Sequence, residues 1–471
     1  MLRSESPVER TLWLLYVLAA MCFLPALHFY YVGEEAIFPI SSLEMWHEHS
    51  WFVQIMYGAN VRHNPLFNWL IMLFSDVAGW SHVLAVARAL SILATLGSSW
   101  VLFWLARRLS GDRPFALYAA LIYLTLSDVA LYHGWLAYVD PLFAFFVFSS
   151  VALLWVASEE ASFPLLALSA AALSLAFLSK AFTAYVFYGL AALVLLSQPK
   201  CRRFLLSARS LALAAMALVF PLFWLSLLPS QGQGGRMFAE ILNKLVMPGL
   251  GDYARQLVEF PLEAMLRMTP VSLLVIYHLL RGRVVKNGAD SFRFNTAFWI
   301  GLLNLLPYWV SPQSGIRYIL PIYPFFALVF AGVLWRTDAK ALKMSLRWIG
   351  GFLGLKLVFF LFLFPWYQSH YRGENYLRAA QEIMRETAGF PLFVADVSSS
   401  GLSVAGYLDV LRLPQAPLVF PPEKWDSGYV ISYTENSSLG KIYRTFKLGG
   451  DRMFLLCRGE ACVHNLSGRS R

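Results

Sequence analysis

The stretch TLWLLYVLAAMCFLPALHFYY, residues 11–31, has the length a bilayer-spanning helix needs, about 20 mostly apolar residues, and it runs straight into Gly33-Glu34-Glu35. It is long for a signal-peptide core and carries no A-x-A-like cleavage site, so it reads as a retained span. Further apolar runs follow at residues 83–105, 114–131, 141–157, 163–178, 183–196, 211–228, 270–280, 297–310, 319–335 and 348–366. Together they predict an all-α polytopic membrane domain of about 11 transmembrane helices over residues 1–366. The shorter run 65–74 is placed at the membrane interface. Composition agrees, with 58% hydrophobic and 14% charged residues, where a soluble domain carries about 25% charged.

A net charge of +10 raises the question of nucleic acid, but the basic residues form short clusters between apolar runs, not one polar face, so no nucleic-acid partner is expected. The clusters are Arg107, Arg108 and Arg113; Lys200, Arg202, Arg203 and Arg209; Arg281, Arg283 and Lys286; and Arg336, Lys340, Lys343 and Arg347. They occupy alternate loops, and positive charge beside a span is retained in the cytoplasm, which puts the N-terminus there. The opposite side then receives the first loop (residues 33–82), the turn at Tyr138-Val139-Asp140, Lys180, residues 229–269, the SPQSGIRY turn and everything after Trp366.

Residues 367–471 change character. A helix-like ENYLRAAQEIMRE precedes strand-like runs at 392–395, 428–432 and 453–457, predicting a small soluble α/β domain. Cys457 and Cys462 bracket a turn-like CRGEAC, a spacing open to a disulfide or to a reduced pair. The lack of an internal repeat counts against inverted-repeat transporter folds.

Candidate chemistry gathers on the non-basic side. Glu34 and Glu35 repel one another, so at least one should have a partner or a raised pKa; the pair could accept a proton or hold a cation, or could be solvated acids ending a helix. Asp140, in AYVDPLFAFF, lies where ionisable groups are costly, and Asp before Pro is also a common helix cap. Lys180 interrupts an apolar stretch at the tip of a tight helical hairpin, suited to an anion or to snorkelling. Arg317 and Tyr318 meet the interface in the same way, with Arg suited to bidentate phosphate binding. His47, His49 and His63 share the first loop, but SSLEMWHEHSWF reads as an amphipathic helix on which positions i and i+2 diverge; whether a metal binds stays open, with Glu35 and His63 as the candidate ligands.

A carboxylate pair after the first span, HNPLFNWL, VDPLFAF, the SKAF hairpin tip and RYILPIYP resemble, in this order over residues 10–335, the polyprenyl-phosphate-sugar-dependent glycosyltransferases of the GT-C class. The likeness is to the bacterial aminoarabinose transferases acting on lipid A and, more distantly, the protein O-mannosyltransferases. In that family the pair is Asp-Glu and the Asp is the catalytic carboxylate; here Glu34 stands in its place, with Ile37 where an arginine is usual and Asn64 where a lysine is usual. Asp140, Lys180, Arg317 and Tyr318 match without change.

The resemblance implies a bacterial inner-membrane enzyme with a periplasmic C-terminal domain. It would move one sugar from a polyprenyl-phosphate donor to a glycolipid, polysaccharide or protein, by inversion. Glu34, Glu35 and Asp140 would be catalytic, and Lys180, Arg317 and Tyr318 would bind the donor phosphate. The pattern fixes no cofactor and leaves a divalent metal ion open. Two other classes compete: a polytopic lipid or sugar transporter or flippase, which should carry charge within its spans, here read as nearly charge-free, and an inactive scaffold of the same fold.

Overall fold

The computed structural model describes residues 7–61, 63–228, 249–282, 291–311, 315–370, 375–448 and 451–464. Arg283 and Lys286, residues 229–248 of the outer segment 229–269, and residues 312–314 of the SPQSGIRY turn lie outside them.

The chain is a multi-pass membrane protein. Six described helices are long and apolar enough to cross a bilayer: Pro7–His28, Trp80–Ser110, Asp140–Glu160, Ala208–Leu227, Ile316–Trp335 and Ala339–His370. The pair Gly251–Arg267 and Val271–Leu280 meets the same test only jointly and is bent by 103°. Leu66–Ala78, Arg113–Leu124, Phe163–Ser179 and Thr183–Leu196 are apolar but shorter, which is where the sequence count of about 11 and the observed helices part company. The expectation of nearly charge-free spans is also corrected, because Arg88 and Lys356 are both buried within apolar helices.

Two compact units emerge, and they do not follow a boundary at residue 366. The first comprises Met1–Leu24, Ser91–Trp135 and Val139–Leu357; the second Pro25–Leu90, Leu136–Tyr138 and Val358–Arg471.

In the first unit, Phe163–Ser179 and Thr183–Leu196 form the expected hairpin with Lys180 at its turn. Asp112 caps Arg113–Leu124 by accepting from the Phe115 amide, and every residue from Phe115 to Leu124 is buried. That helix gives way to a short π-helical turn, Val129–His133, before the next span starts at Asp140.

In the second unit, the first-loop helix Ile37–His47 buries every residue from Phe38 to Met45, so it is a core helix and not the amphipathic one its polar residues suggested. Ser41 and Ser42 accept from Asn68 of helix Leu66–Ala78, and Glu44 accepts from the Tyr57 and Gly58 amides. The helix Leu66–Ala78 buries Phe67, Ile71 and Met72 and exposes Leu73, Phe74 and Val77, as an interfacial helix should. A short hairpin pairs β1 (Ile55–Met56) with β2 (Ala59–Asn60).

The tail is the predicted α/β fold. Helix Tyr376–Glu386, capped by Asn375, precedes β3 (Leu392–Val394), helix Ser399–Arg412, β4 (Gly428–Ser432), β5 (Lys441–Leu448) and β6 (Asp451–Arg458). The sheet order is β3-β4-β6-β5, with β3 and β4 parallel across the helical crossover and the other pairs antiparallel. Cys457 and Cys462 form a disulfide. At the start of Ser399–Arg412 the backbone closes onto the Asp396 carboxyl so tightly that a Cβ on Gly401 would overlap it. Gly401→Ala should therefore lower the melting temperature of the tail, at a cost of about 1–3 kcal/mol; an unchanged melt would mean that Asp396 swings clear.

Candidate active site

The two adjacent acids of the first loop have opposite fates. Gly33, at φ 59°, supplies the left-handed turn after which Glu34 is exposed and Glu35 is fully buried. Glu35 is locked in a bidentate pair with Arg88, Nε to Oε1 at 2.9 Å and Nη2 to Oε2 at 2.5 Å, with neither side chain exposed. Its oxygens also accept from the Val32 amide at 2.8 Å and the Ala137 amide at 2.7 Å. The remaining Arg88 donors go to the carbonyls of Ala26, Phe29 and Tyr30. All five N–H groups of the guanidinium are thereby used, and the chain leaving the first span is wrapped around it. The Glu34 amide donates to Tyr138 Oη at 3.2 Å.

Glu35 was a candidate both for catalysis and for a metal. With every oxygen engaged twice, it has no room for a cation without giving up Arg88 or a backbone amide. His63 lies against the Phe38 ring, centroids 6.2 Å apart, and His47 contacts Glu48. Among the described residues no group of three or more His, Cys, Asp or Glu side chains is placed to hold a metal ion.

In the first unit the structure gathers the other four sequence candidates. Asp140 opens its helix with no capping hydrogen bond to the backbone; its carboxylate instead pairs with Lys180 from the hairpin turn. The Lys180 ammonium sits 4.6 Å from the Tyr318 ring centroid and 5.7 Å from that of Phe143. Arg317 lies over the same Tyr318 ring at 5.5 Å, and Tyr308 stacks on that ring at 6.2 Å between centroids. Asp140 is within electrostatic reach of Arg317 as well as Lys180. Two cations are thus drawn to one carboxylate among aromatic rings, a setting where charge acts strongly because water is largely excluded.

Sequence reading missed three features. Arg88 is the first. The second is Asp128, whose carboxylate accepts from His133, Arg267 and Tyr323. The third is a buried acidic junction of Glu44 and Asp409, on the tail helix Ser399–Arg412 that packs on Ile37–His47. A single charge inside an apolar run was the available signal for Arg88.

No curated protein sequence matches the chain. Residues 62–227 match the family model of dolichyl-phosphate-mannose-protein mannosyltransferase. Among solved structures, ArnT from Cupriavidus metallidurans bound to undecaprenyl phosphate superposes with a TM-score of 0.68 at 14% identity, covering 94% of this chain and 97% of that one. The apo state of the same protein gives 0.67 at 14% identity, with 96% and 98% covered. The apo oligosaccharyltransferase of Archaeoglobus fulgidus gives 0.51 at 12% identity, with 89% of this chain and 69% of that one covered. The chain therefore has the fold of ArnT, and its resemblance to the GT-C glycosyltransferases rests on that fold together with the family match.

Proposed function

We propose that this chain transfers a single sugar from a polyprenyl-phosphate donor to an envelope acceptor at the outer face of a bacterial inner membrane, with its C-terminal domain in the periplasm. The observation that carries the reading is the split of the acid pair: Glu35 is held immobile by Arg88 while its neighbour Glu34 is left exposed. Glu35 anchors the backbone that presents Glu34, as a well-placed general base requires. The disulfide of the tail supports an oxidising compartment.

In the reaction proposed, Glu34 takes the proton of the acceptor hydroxyl as its oxygen bonds to the anomeric carbon. The bond from that carbon to the phosphate oxygen breaks, and its electron pair leaves with the polyprenyl phosphate. Lys180 and Arg317 meet the charge that builds on the departing phosphate, Asp140 holds Lys180 in place, and Tyr318 offers the face on which both cations rest. Glu35 acts through Glu34, as a positioning residue. A base without a second nucleophile implies inversion, so product with retained anomeric configuration would sink the displacement.

The test is sugar transfer by the purified chain in lipid, with labelled polyprenyl-phosphate sugars and an envelope extract containing glycolipid, polysaccharide and protein acceptors. Glu34→Gln, which keeps size and loses the base, should reduce transfer by about 10²- to 10⁴-fold. Envelope phenotypes that depend on the chain but ignore Glu34→Gln would instead favour a scaffold.

A further inference from the structure

The proposed reaction gives no part to Asp128, although its carboxylate joins three elements. It accepts from His133 Nδ1 at 2.9 Å within its own turn, from Arg267 Nη1 at 3.0 Å at the end of helix Leu250–Arg267, and from Tyr323 Oη at 3.0 Å at the start of helix Tyr323–Trp335. Asp128 and Tyr323 are both buried. A buried ion pair is weak evidence for stability alone, and Arg267 does not need Asp128 to balance its charge. Its other nitrogens already reach Glu263 Oε1, Nη2 at 3.1 Å and Nε at 3.3 Å. The tyrosine is the informative partner, because of what precedes it in the chain.

Tyr323 directly follows the 3₁₀ run Ile316–Ile322, which carries Arg317 and Tyr318. Seven residues is long for 3₁₀ geometry, whose hydrogen bonds are poor, and Pro321 within the run has no N–H to donate. Such a segment holds its side chains in place only if its ends are tied down, and the Tyr323 hydroxyl on Asp128 is one such tie. Helix Leu250–Arg267 supplies a second route. The Ser127 amide donates to the Thr269 carbonyl at 2.7 Å and Ser127 Oγ to the Arg267 carbonyl at 2.8 Å, so the end of that helix is closed onto the residue beside Asp128. Further up the same helix, Gln256 Nε2 donates to the Ser311 carbonyl at 3.2 Å, and Trp309 Nε1 donates to the Leu257 carbonyl at 2.9 Å. Next to Trp309 stands Tyr308, whose ring stacks on that of Tyr318. The Tyr318 ring is thus reached from Asp128 twice, once along the chain through Tyr323 and once across the helix that ends in Arg267.

We propose that Asp128 is a positioning residue for the donor phosphate: through Tyr323 and Arg267 it fixes the Tyr318 ring, and with it the Lys180 ammonium and the Arg317 guanidinium that lie against that ring at 4.6 Å and 5.5 Å. Cations held in place before the phosphate arrives need no reorganisation as charge builds on it. The inference rests on the phosphate-donor reading.

The experiment compares binding of farnesyl phosphate and of uncharged farnesol to the full chain in lipid nanodiscs, for wild type, Asp128→Asn, Arg317→Gln and the double variant. Asparagine keeps the shape of the side chain but has one acceptor oxygen, where Arg267 uses Oδ1 and Tyr323 uses Oδ2. The expected result for Asp128→Asn is about tenfold weaker binding of farnesyl phosphate with unchanged binding of farnesol. In the Arg317→Gln background the same change should weaken phosphate binding by about twofold or less, because a group it positions is gone. A merely structural role costs the same factor in both backgrounds, and that result would overturn the assignment, as would equal losses for phosphate and alcohol or an unchanged phosphate affinity in Asp128→Asn. If Asp128→Asn fails to fold, Tyr323→Phe, which removes one hydroxyl and keeps the ring, is read by the same cycle. A wild type that binds farnesyl phosphate no better than farnesol would remove the phosphate-donor reading, and this inference with it. A wild-type preference for the phosphate alongside equal losses in the two backgrounds removes this inference alone.

Discussion

Arg88→Met is expected to unfold the region that carries the acid pair, not merely to slow the enzyme. Methionine fills much of the volume but leaves the Glu35 carboxylate buried with only the Val32 and Ala137 amides, and it strips a donor from the carbonyls of Ala26, Phe29 and Tyr30. Removing one partner of a buried ion pair costs about 3–5 kcal/mol, against a total stability of about 5–15 kcal/mol for a typical domain. Thermal melting in lipid should show a large drop, with transfer lost in parallel. The double change Arg88→Met with Glu35→Leu should recover part of the melt, since an apolar pair avoids the stranded charge, yet it should not recover transfer, because Glu34 then lacks its fixed neighbour. A single variant that melts and transfers like wild type would show that the pair is dispensable and remove the structural basis for Glu34 as base.

That dependence was not legible in the sequence, and the reason is physical. A hydropathy window averages one arginine into the apolar residues on either side, and the partner lies 53 positions away. The same limit explains the first-loop helix. Ser41, Ser42 and Glu44 look like a polar face until Asn68 and the Tyr57 and Gly58 amides are folded against them. What was legible had a local signature. Lys180 stood alone between two apolar runs, and the strands of the tail followed runs of β-branched and aromatic residues bounded by turn formers. Asp140 was legible as a residue but not as a role: the Asp-Pro pair pointed equally to a cap, and only the arrival of Lys180 from 40 positions away decides for the ion pair. Span number fared worst, because helices of 10–17 residues, such as Phe163–Ser179 and Thr183–Leu196, fall below the usual spanning length.

Asp409→Asn is expected to stabilise the tail increasingly as pH rises. Burial, with the Glu44 charge adding to it, pushes the Asp409 carboxyl up to about 8; the Leu418 amide, 2.7 Å from Oδ1, pulls the other way but loses. The Glu44 carboxyl is itself raised by burial. An acid whose folded pKa lies above its unfolded value of about 3.9 binds more protons in the native state between those limits, so stability falls as pH climbs through the window and levels off above about 8. The slope is at most about 1.4 kcal/mol per pH unit, or on the order of 4 kcal/mol between pH 5 and pH 8. Asparagine has no proton to lose. Protease susceptibility of the tail, compared at equal pH, should therefore be similar in the two proteins near pH 4 and diverge steadily above it, with wild type the more open. Parallel curves would mean that Asp409 ionises without penalty. The junction bears on function because the helix Ser399–Arg412 packs against Ile37–His47, directly after Glu34 and Glu35, and a Cβ on Gly406 would come within 3.2–3.3 Å of Tyr31 and Ala36, closer than ordinary van der Waals contact. Loosening that contact as pH rises towards about 8 frees the loop that presents Glu34, so transfer by wild type should decline over that range and level off above it, while Asp409→Asn holds its rate.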